Sequence, residues 1–505
     1  MDVVLRWVVT AALLAAPAGL TTGGRSPATD AVPAVTQAAA APGGLRFTTF
    51  PIASTPAAPV GTTCPGSDSC WNHAVEPQIR SDATGAFYLA SENGLFRGTI
   101  AAKSTDGGLH YASLPSPNAL SNANDPGFAP AGGDTDVAVA PVANAAGSFN
   151  VYVASLSLAE VNVSTSVDGG ATWKLNPTAA QLAGDDREWI AADGARKVCI
   201  SYHDLATFNV DVDCSYDAGA TFTQHAVPGA IDAAHAFLLQ NNQIGNLVID
   251  PASHTVYQVL AGIAHPGEAA CGLDFTCKYH AVWMAVSTDG GRTFTDYAVY
   301  VAPSDKVGLN HQFPNVTVDR AGNVYALWSD DRDVSYAVST DRGKTWSKPV
   351  QVNRPPATTA IFPWAVAGEP GKLDVVYYGT SYYDGVVTPD NYPPSAAWYA
   401  YFAQNLDALS PHGRFTQVRA TPVVHYGAVC ESGIGCSGNR DLYDDFGVAA
   451  SPTTGMASIV YDDDQYSPAT AAPGCTEQGS NTPRCVHTAV ATQTGGRGIF
   501  GGGKR

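Results

Sequence analysis

Short apolar strands alternate with polar turns along this chain, and the alternation repeats. The clearest stretch runs Phe313-Pro-Asn-Val-Thr-Val-Asp-Arg-Ala-Gly-Asn-Val-Tyr-Ala-Leu-Trp328, two alternating strands joined by an Ala-Gly-Asn turn. A third strand leads to Ser339, then a tight turn, then a closing strand near Pro349 to Val352. That succession predicts one four-stranded antiparallel sheet. Matching starts fall near Glu76, Asp134, Arg187, Ile244, Phe313, Phe362 and Asp445, which gives seven units, with six as the alternative if one weak unit is an insertion. Recurrence of this kind predicts a ring or stack of sheets.

A second pattern sits on the turns between third and fourth strands. It reads Ser166-Val-Asp168-Gly-Gly170-Ala-Thr172-Trp173, and again from Ser215 to Phe222, Ser287 to Phe294 and Ser339 to Trp346, with a worn copy from Ser104 to Tyr111. In each, a short Asp bonds back to the turn's backbone, Gly supplies the positive φ and an aromatic anchors the end. The pattern resembles the Asp box, or BNR repeat, of the sialidase (neuraminidase) superfamily, over roughly Glu76 to Thr492. The resemblance implies an all-β propeller, here seven-bladed, with its Asp boxes on the rim away from the working face. Sialidases of the family have six blades, so seven departs from them. Units six and seven lack the box. The last unit also lacks a fourth strand, and Arg46-Phe-Thr-Thr-Phe50 is expected to supply it and close the ring.

Charge narrows the partners. With 27 basic against 45 acidic residues the net charge is −18, which argues against a nucleic-acid partner, since phosphate binding needs a basic face. Arg6 followed by an apolar run from Trp7 to Leu20 reads as a secretory signal over residues 1–20, too short for a membrane anchor. Residues 21–45 read as a disordered Ala/Pro/Thr-rich linker, 46–494 as the propeller and 495–505 as a Gly-rich tail. Ten cysteines fall into near-neighbour pairs: Cys64/Cys70, Cys199/Cys214, Cys271/Cys277, Cys430/Cys436 and Cys475/Cys485. In an exported chain these predict local disulfides and a secreted protein; zinc pairs are usually spaced more tightly.

The candidate chemistry gathers where inner strands begin. The expected catalytic group is Asp134, Asp136, Asp186, Arg187, Glu188, Arg440, Tyr443, Asp444 and Asp445, with Glu76, His311, Gln312 and Trp364 binding ligand. Glycoside hydrolysis needs two carboxylates facing across the bond, one of them protonated. The family's first-blade motif, Phe/Tyr-Arg-Ile-Pro, places an arginine that would fall at Val75, Gln312 or Ile361, and none is arginine. Tyr443 with Glu188 or Glu431 could imitate the family's Tyr/Glu pair. Without the arginine cluster an acidic rim repels a carboxylate sugar, so sialidase activity is the minority expectation. The leading expectation is a glycan-binding or glycan-processing propeller. The alternative is a non-catalytic glycan- or protein-binding module, presenting Trp328, Trp364, Tyr382, Tyr383, Tyr392 and Trp398 as aromatic platforms. No cofactor is expected; Asp330 to Asp333 and Asp462 to Asp464 offer oxygen ligands for Ca2+, with solvated acidic turns as the competing reading.

Overall fold

A computed structural model describes residues 44–501 apart from 53–73, 94–97, 120–131, 158–159, 232, 269–277, 310–312, 432–435, 437–439 and 466–485. Seven antiparallel sheets follow one another along the chain as the blades of a β-propeller. Their innermost strands are Val75–Ser81, Thr135–Val139, Asp185–Asp193, Asn242–Ile249, Asn315–Val318, Thr359–Ala367 and Gly447–Ala450. Each blade continues outward through hairpins to a second, third and fourth strand. Blade six has a fifth strand, His425–Tyr426, paired with Ala397 and Trp398.

The ring closes as the sequence predicts. Arg46–Pro51 pairs antiparallel with His487–Gly495 and completes blade seven. Phe47 reaches back to Phe402 of blade six, ring centroids 4.9 Å apart, and Phe50 forward to Tyr111 of blade one at 6.2 Å. One short strand therefore seals two blade interfaces.

The Asp boxes show why the motif recurs. In the Ser287 copy, Asp289 Oδ1 accepts from the Thr293 amide at 3.0 Å and from Ser287 Oγ at 2.8 Å, while Thr293 Oγ1 donates to Oδ2 at 2.6 Å. Ser287 Oγ in turn accepts from the Gly291 amide. In the worn copy His110 stands in for threonine, with its amide and Nδ1 both on Asp106. The glycine at the fifth position of each box has positive φ and lies against the preceding blade: Gly170 on Leu114, Gly291 on Cys214 and Gln224. A side chain there would collide, so glycine is required twice over.

Because strands alternate in direction, inner strands begin, and second strands end, at the face opposite the boxes. Two of the five expected disulfides are present among the described residues. Cys199–Cys214 joins neighbouring strands of blade three, and Cys430–Cys436 staples a loop between blades six and seven. The other three expected pairs, Cys64 with Cys70, Cys271 with Cys277 and Cys475 with Cys485, lie outside the described residues. So do the expected signal and the linker up to residue 43.

Much of the expected aromatic platform is core. Trp328 and Trp398 are 2% and 0% exposed, and Tyr392 stacks on Trp398 while its hydroxyl meets Thr359 Oγ1. Indole and phenol groups that find partners inside a blade gain more from packing than from exposure. Of that loop, Tyr383 stays exposed and Tyr382 half-buried.

Candidate functional site

The rim of the propeller's central axis is built by irregular strand starts. The first strands of blades one, three and six each carry a bulge, between Val75 and Gln78, Asp186 and Glu188, and Ile361 and Trp364. At the bulge Glu76, Arg187 and Phe362 adopt φ of 47°, 50° and 53°. These are the residues that align as unit starts in the sequence. Left-handed backbone at bulky residues is costly and survives where the surroundings enforce it, which is common at functional sites.

Two of these three residues meet. Arg187 Nη1 lies 2.7 Å from Glu76 and 3.8 Å from Asp134, and its Nη2 lies 2.7 Å from Asp445. Its guanidinium also covers Trp189, 4.2 Å from the ring centre, and Phe313 at 5.1 Å. Arg440 contributes a second clamp, to Asp444 at 2.5 Å and Glu76 at 3.3 Å, and packs over Tyr443. Gln78 donates to the other oxygen of Asp445, and Asp462 accepts from the Glu76 amide at 3.3 Å. Two arginines thus hold the acids of blades one, two and seven together around the axis.

Acids outnumber these arginines, so several protons are retained. Burial, then the Asp134 and Asp444 charges, hold Glu76 well above the usual carboxylate range despite Arg187. Burial and Asp134 do the same to Glu188, neither of whose oxygens has a hydrogen-bond partner among the described residues. Burial and Arg187 act in opposite directions on Asp445, which settles at about 6. Glu92 rises to about 8 through burial and Asp134, and Asp186 to about 6 through burial, Asp134 and Asp444. Arg440 and Arg187 pull both of these last two down, so the same charges bear on both carboxyls. Burial, with Glu92 next, also lifts Tyr443 above the ordinary phenol range.

Glu92, Asp134, Asp186, Arg440 and Tyr443 are the partly exposed members of this group, and Glu76, Arg187, Glu188, Asp444 and Asp445 form a buried layer beside them. Glu92 was not among the sequence candidates. It ends the second strand of blade one opposite Val75, and second-strand ends share a face with inner-strand starts. That geometric rule would have flagged it.

Three predicted residues sit elsewhere or serve the scaffold. Asp136 accepts from the amides of Val137 and Ile190 and pairs with Arg80 at 2.9 Å, tying blade one to blades two and three. Trp364 is 5% exposed, packs on Trp189 and Arg80, and lines a cavity of about 260 Å³ at the tunnel mouth on the Asp-box face. The structure therefore does not bring it to the rim. Glu431 lies in the stapled loop, its amide on Asp390. His311 and Gln312 lie outside the described residues.

For cations, oxygens of Glu76, Glu92 and Asp134 approach within 4.8 Å of one another, but Glu76 already engages two arginines. Asp330 spends its Oδ1 on the amides of Arg332 and Asp333, as an ordinary acidic turn does.

The BNR/Asp-box repeat family matches residues 337–348, on the hairpin of blade five. The chain is thus a seven-bladed β-propeller that carries a BNR/Asp-box repeat. Solved structures of similar layout include a protein of unknown function from Dyadobacter fermentans, at 14% identity and TM-score 0.42 over 83% of this chain and 95% of that one. Another is the α-L-arabinofuranosidase Arb93A of Fusarium graminearum with an iminosugar inhibitor, at 15% and 0.42 over 66% and 93%. A third is the NanB sialidase of Streptococcus pneumoniae, at 9% and 0.40 over 85% and 69%. No residue role transfers at such identities. The sequence has no match among curated proteins.

Proposed function

We propose that this sialidase-like propeller is a secreted protein that processes glycosides of neutral or cationic sugars at the rim opposite its Asp boxes. The observation that carries the reading is that Glu92 and Asp186, both partly exposed, stand at strand ends of the face opposite the Asp boxes, where burial and the Asp134 charge raise them to about 8 and about 6. At neutral pH the first keeps its proton and the second is mainly ionised. Glycoside cleavage asks for that division: one carboxyl to protonate the leaving oxygen, another to act as base or nucleophile. Tyr443 and Arg440, also partly exposed on this rim, would orient sugar hydroxyls. The glycosidases among the solved structures of similar layout are compatible with a glycan partner, and the two disulfides with an oxidising compartment.

Sialosides are disfavoured on charge. Arg187 and Arg440 already face acids, so a sialate carboxylate would have to displace Glu76, Asp444 or Asp445 from them.

The test is a panel of neutral, cationic and sialylated chromogenic glycosides assayed with wild type, Glu92→Gln and Asp186→Asn. Turnover of a non-sialylated member, falling by roughly 100-fold or more in both variants, fits general acid–base loss. Tight binding of a glycan without turnover would favour the non-catalytic module instead. Efficient sialoside release, abolished by Arg187→Ala with Arg440→Ala, would overturn the substrate class.

A further inference from the structure

Beside the site, a second constellation lies in the loops that join blades six and seven. His425, in the fifth strand of blade six, is fully buried; Asp441 and Asp464 are 3% and 6% exposed. One ligand-type atom from each of the three lies within 4.8 Å of the others. His425 Nε2 is 3.0 Å from the carbonyl of Ala428, an acceptor only, so this nitrogen carries a proton. Nδ1 then points its remaining valence at Asp464 Oδ2, 2.6 Å away. That is a hydrogen-bond distance, filled by a proton when no metal is bound; a tetrahedral zinc holding both atoms would spread them to about 3.3 Å. Asp441 adds an independent sign, because its buried Oδ2 has no hydrogen-bond partner among the described residues. A buried carboxylate oxygen without a donor calls for a cation.

We propose that His425 Nδ1, Asp441 and Asp464 bind one divalent cation of the zinc type. An imidazole nitrogen with two carboxylates suits zinc, whereas the harder calcium ion prefers an all-oxygen set. The Nε2–H bond to a backbone carbonyl is the usual outer support of a metal-bound histidine, fixing both tautomer and ring orientation. The ion acts as a clasp. It ties the loop that carries Arg440, Tyr443 and Asp444 to the end of blade seven's second strand, one residue past Asp463 and two past Asp462, which holds the Glu76 amide. Zinc therefore orders the blade-seven side of the rim without touching substrate, and the claim is independent of what the rim does.

The test uses full-length protein, stripped with a chelator and then dialysed against micromolar Zn2+, Mn2+ or Ca2+ separately. The expected result is one zinc per chain by elemental analysis, a higher thermal midpoint with zinc than without, and affinity at least about tenfold lower in Asp441→Asn. Metal content of the wild type decides the matter even if a variant fails to fold. No stoichiometric zinc would mean that a proton bridges His425 and Asp464, and would overturn the proposal. So would calcium as the sole ion bound, or zinc binding unaltered in both Asp441→Asn and Asp464→Asn.

Discussion

Removal of the closing strand is the sharpest perturbation of this fold. Leu45, Phe47 and Ile52 are each 2–3% exposed in the ring. Full burial of such side chains stabilises by about 1.5–3 kcal/mol apiece, so the three together contribute about 5–9 kcal/mol. Whole domains are stable by only about 5–15 kcal/mol. Deleting residues 44–52 also leaves His487–Gly495 with an unpaired edge, a template for pairing between chains. The expected outcome is a protein that oligomerises on size exclusion and loses its cooperative melt. A milder variant, Phe47→Ala, keeps the strand and removes only the ring that packs on Phe402; its cost should be about 3–5 kcal/mol in equilibrium urea unfolding. Thr49→Ala on the same strand, half-buried, serves as the control and should cost about 1 kcal/mol or less. If Phe47→Ala lost under about 1 kcal/mol, or the deleted protein stayed monomeric with an unchanged melt, closure would not be what holds blades six, seven and one together.

Other expectations concern charge. Glu92, Asp186 and Asp445 have folded pKa values raised to about 8, 6 and 6, so the folded chain binds more protons than the unfolded chain above pH ~4. Their contribution is fully present below the unfolded values and is lost as pH rises towards 8, at up to about 1.4 kcal/mol per pH unit for each proton. Melts from pH 5 to 9 should fall, and Glu92→Gln should flatten the slope between 6 and 8; an identical slope in the variant would remove Glu92 as a source. Arg187→Met strands Asp445 without its cation, leaves Glu76 with Arg440 alone and should cost about 3–5 kcal/mol, part of it recovered by adding Glu76→Gln. No recovery in the double variant would show that packing on Trp189, not charge, dominates. Asp289→Ala removes an acceptor of several bonds and should cost about 1–3 kcal/mol. Those bonds outweigh partial burial and depress its pKa to about 2, so its share of stability is present above the unfolded value near 3.9 and disappears as pH falls through ~2. Acid titrations of wild type and Asp289→Ala that coincide in this window would contradict it.

The fold was legible because its devices are local. An Asp box needs only its own eight residues to specify a turn, and the strand and turn pattern of each unit puts Glu76, Arg187 and Phe362 in one register. Ring closure was legible because blade seven lacked a strand and one matching segment remained. The site was less legible, since its members come from several blades and meet only across the axis. Sequence placed Arg187 among acids but did not show that Glu76 and Asp445 occupy it, which is what argues against a sialate clamp. Glu92 escaped because it closes a strand instead of opening one. Trp364 misled for a related reason: it follows a bulge, and the bulge turns it down the tunnel towards Arg80.

The Asp boxes fasten the ring in one direction, each pressing on the blade before it, so the seams before blades six and seven receive none. The last described residues fill that gap. The Ile499 amide donates to Gly455 of blade seven, its carbonyl accepts from Glu369 of blade six, and Phe500 lies beneath Arg320 of blade five. The segment around Ile499 and Phe500 is a latch across the two seams that carry no box. A protease that clips after Gly495 would therefore act like a cut in a hoop, leaving every blade intact and the circumference free to spring, and amide exchange should quicken first along Thr359–Ala367 while the boxed blades keep their protection.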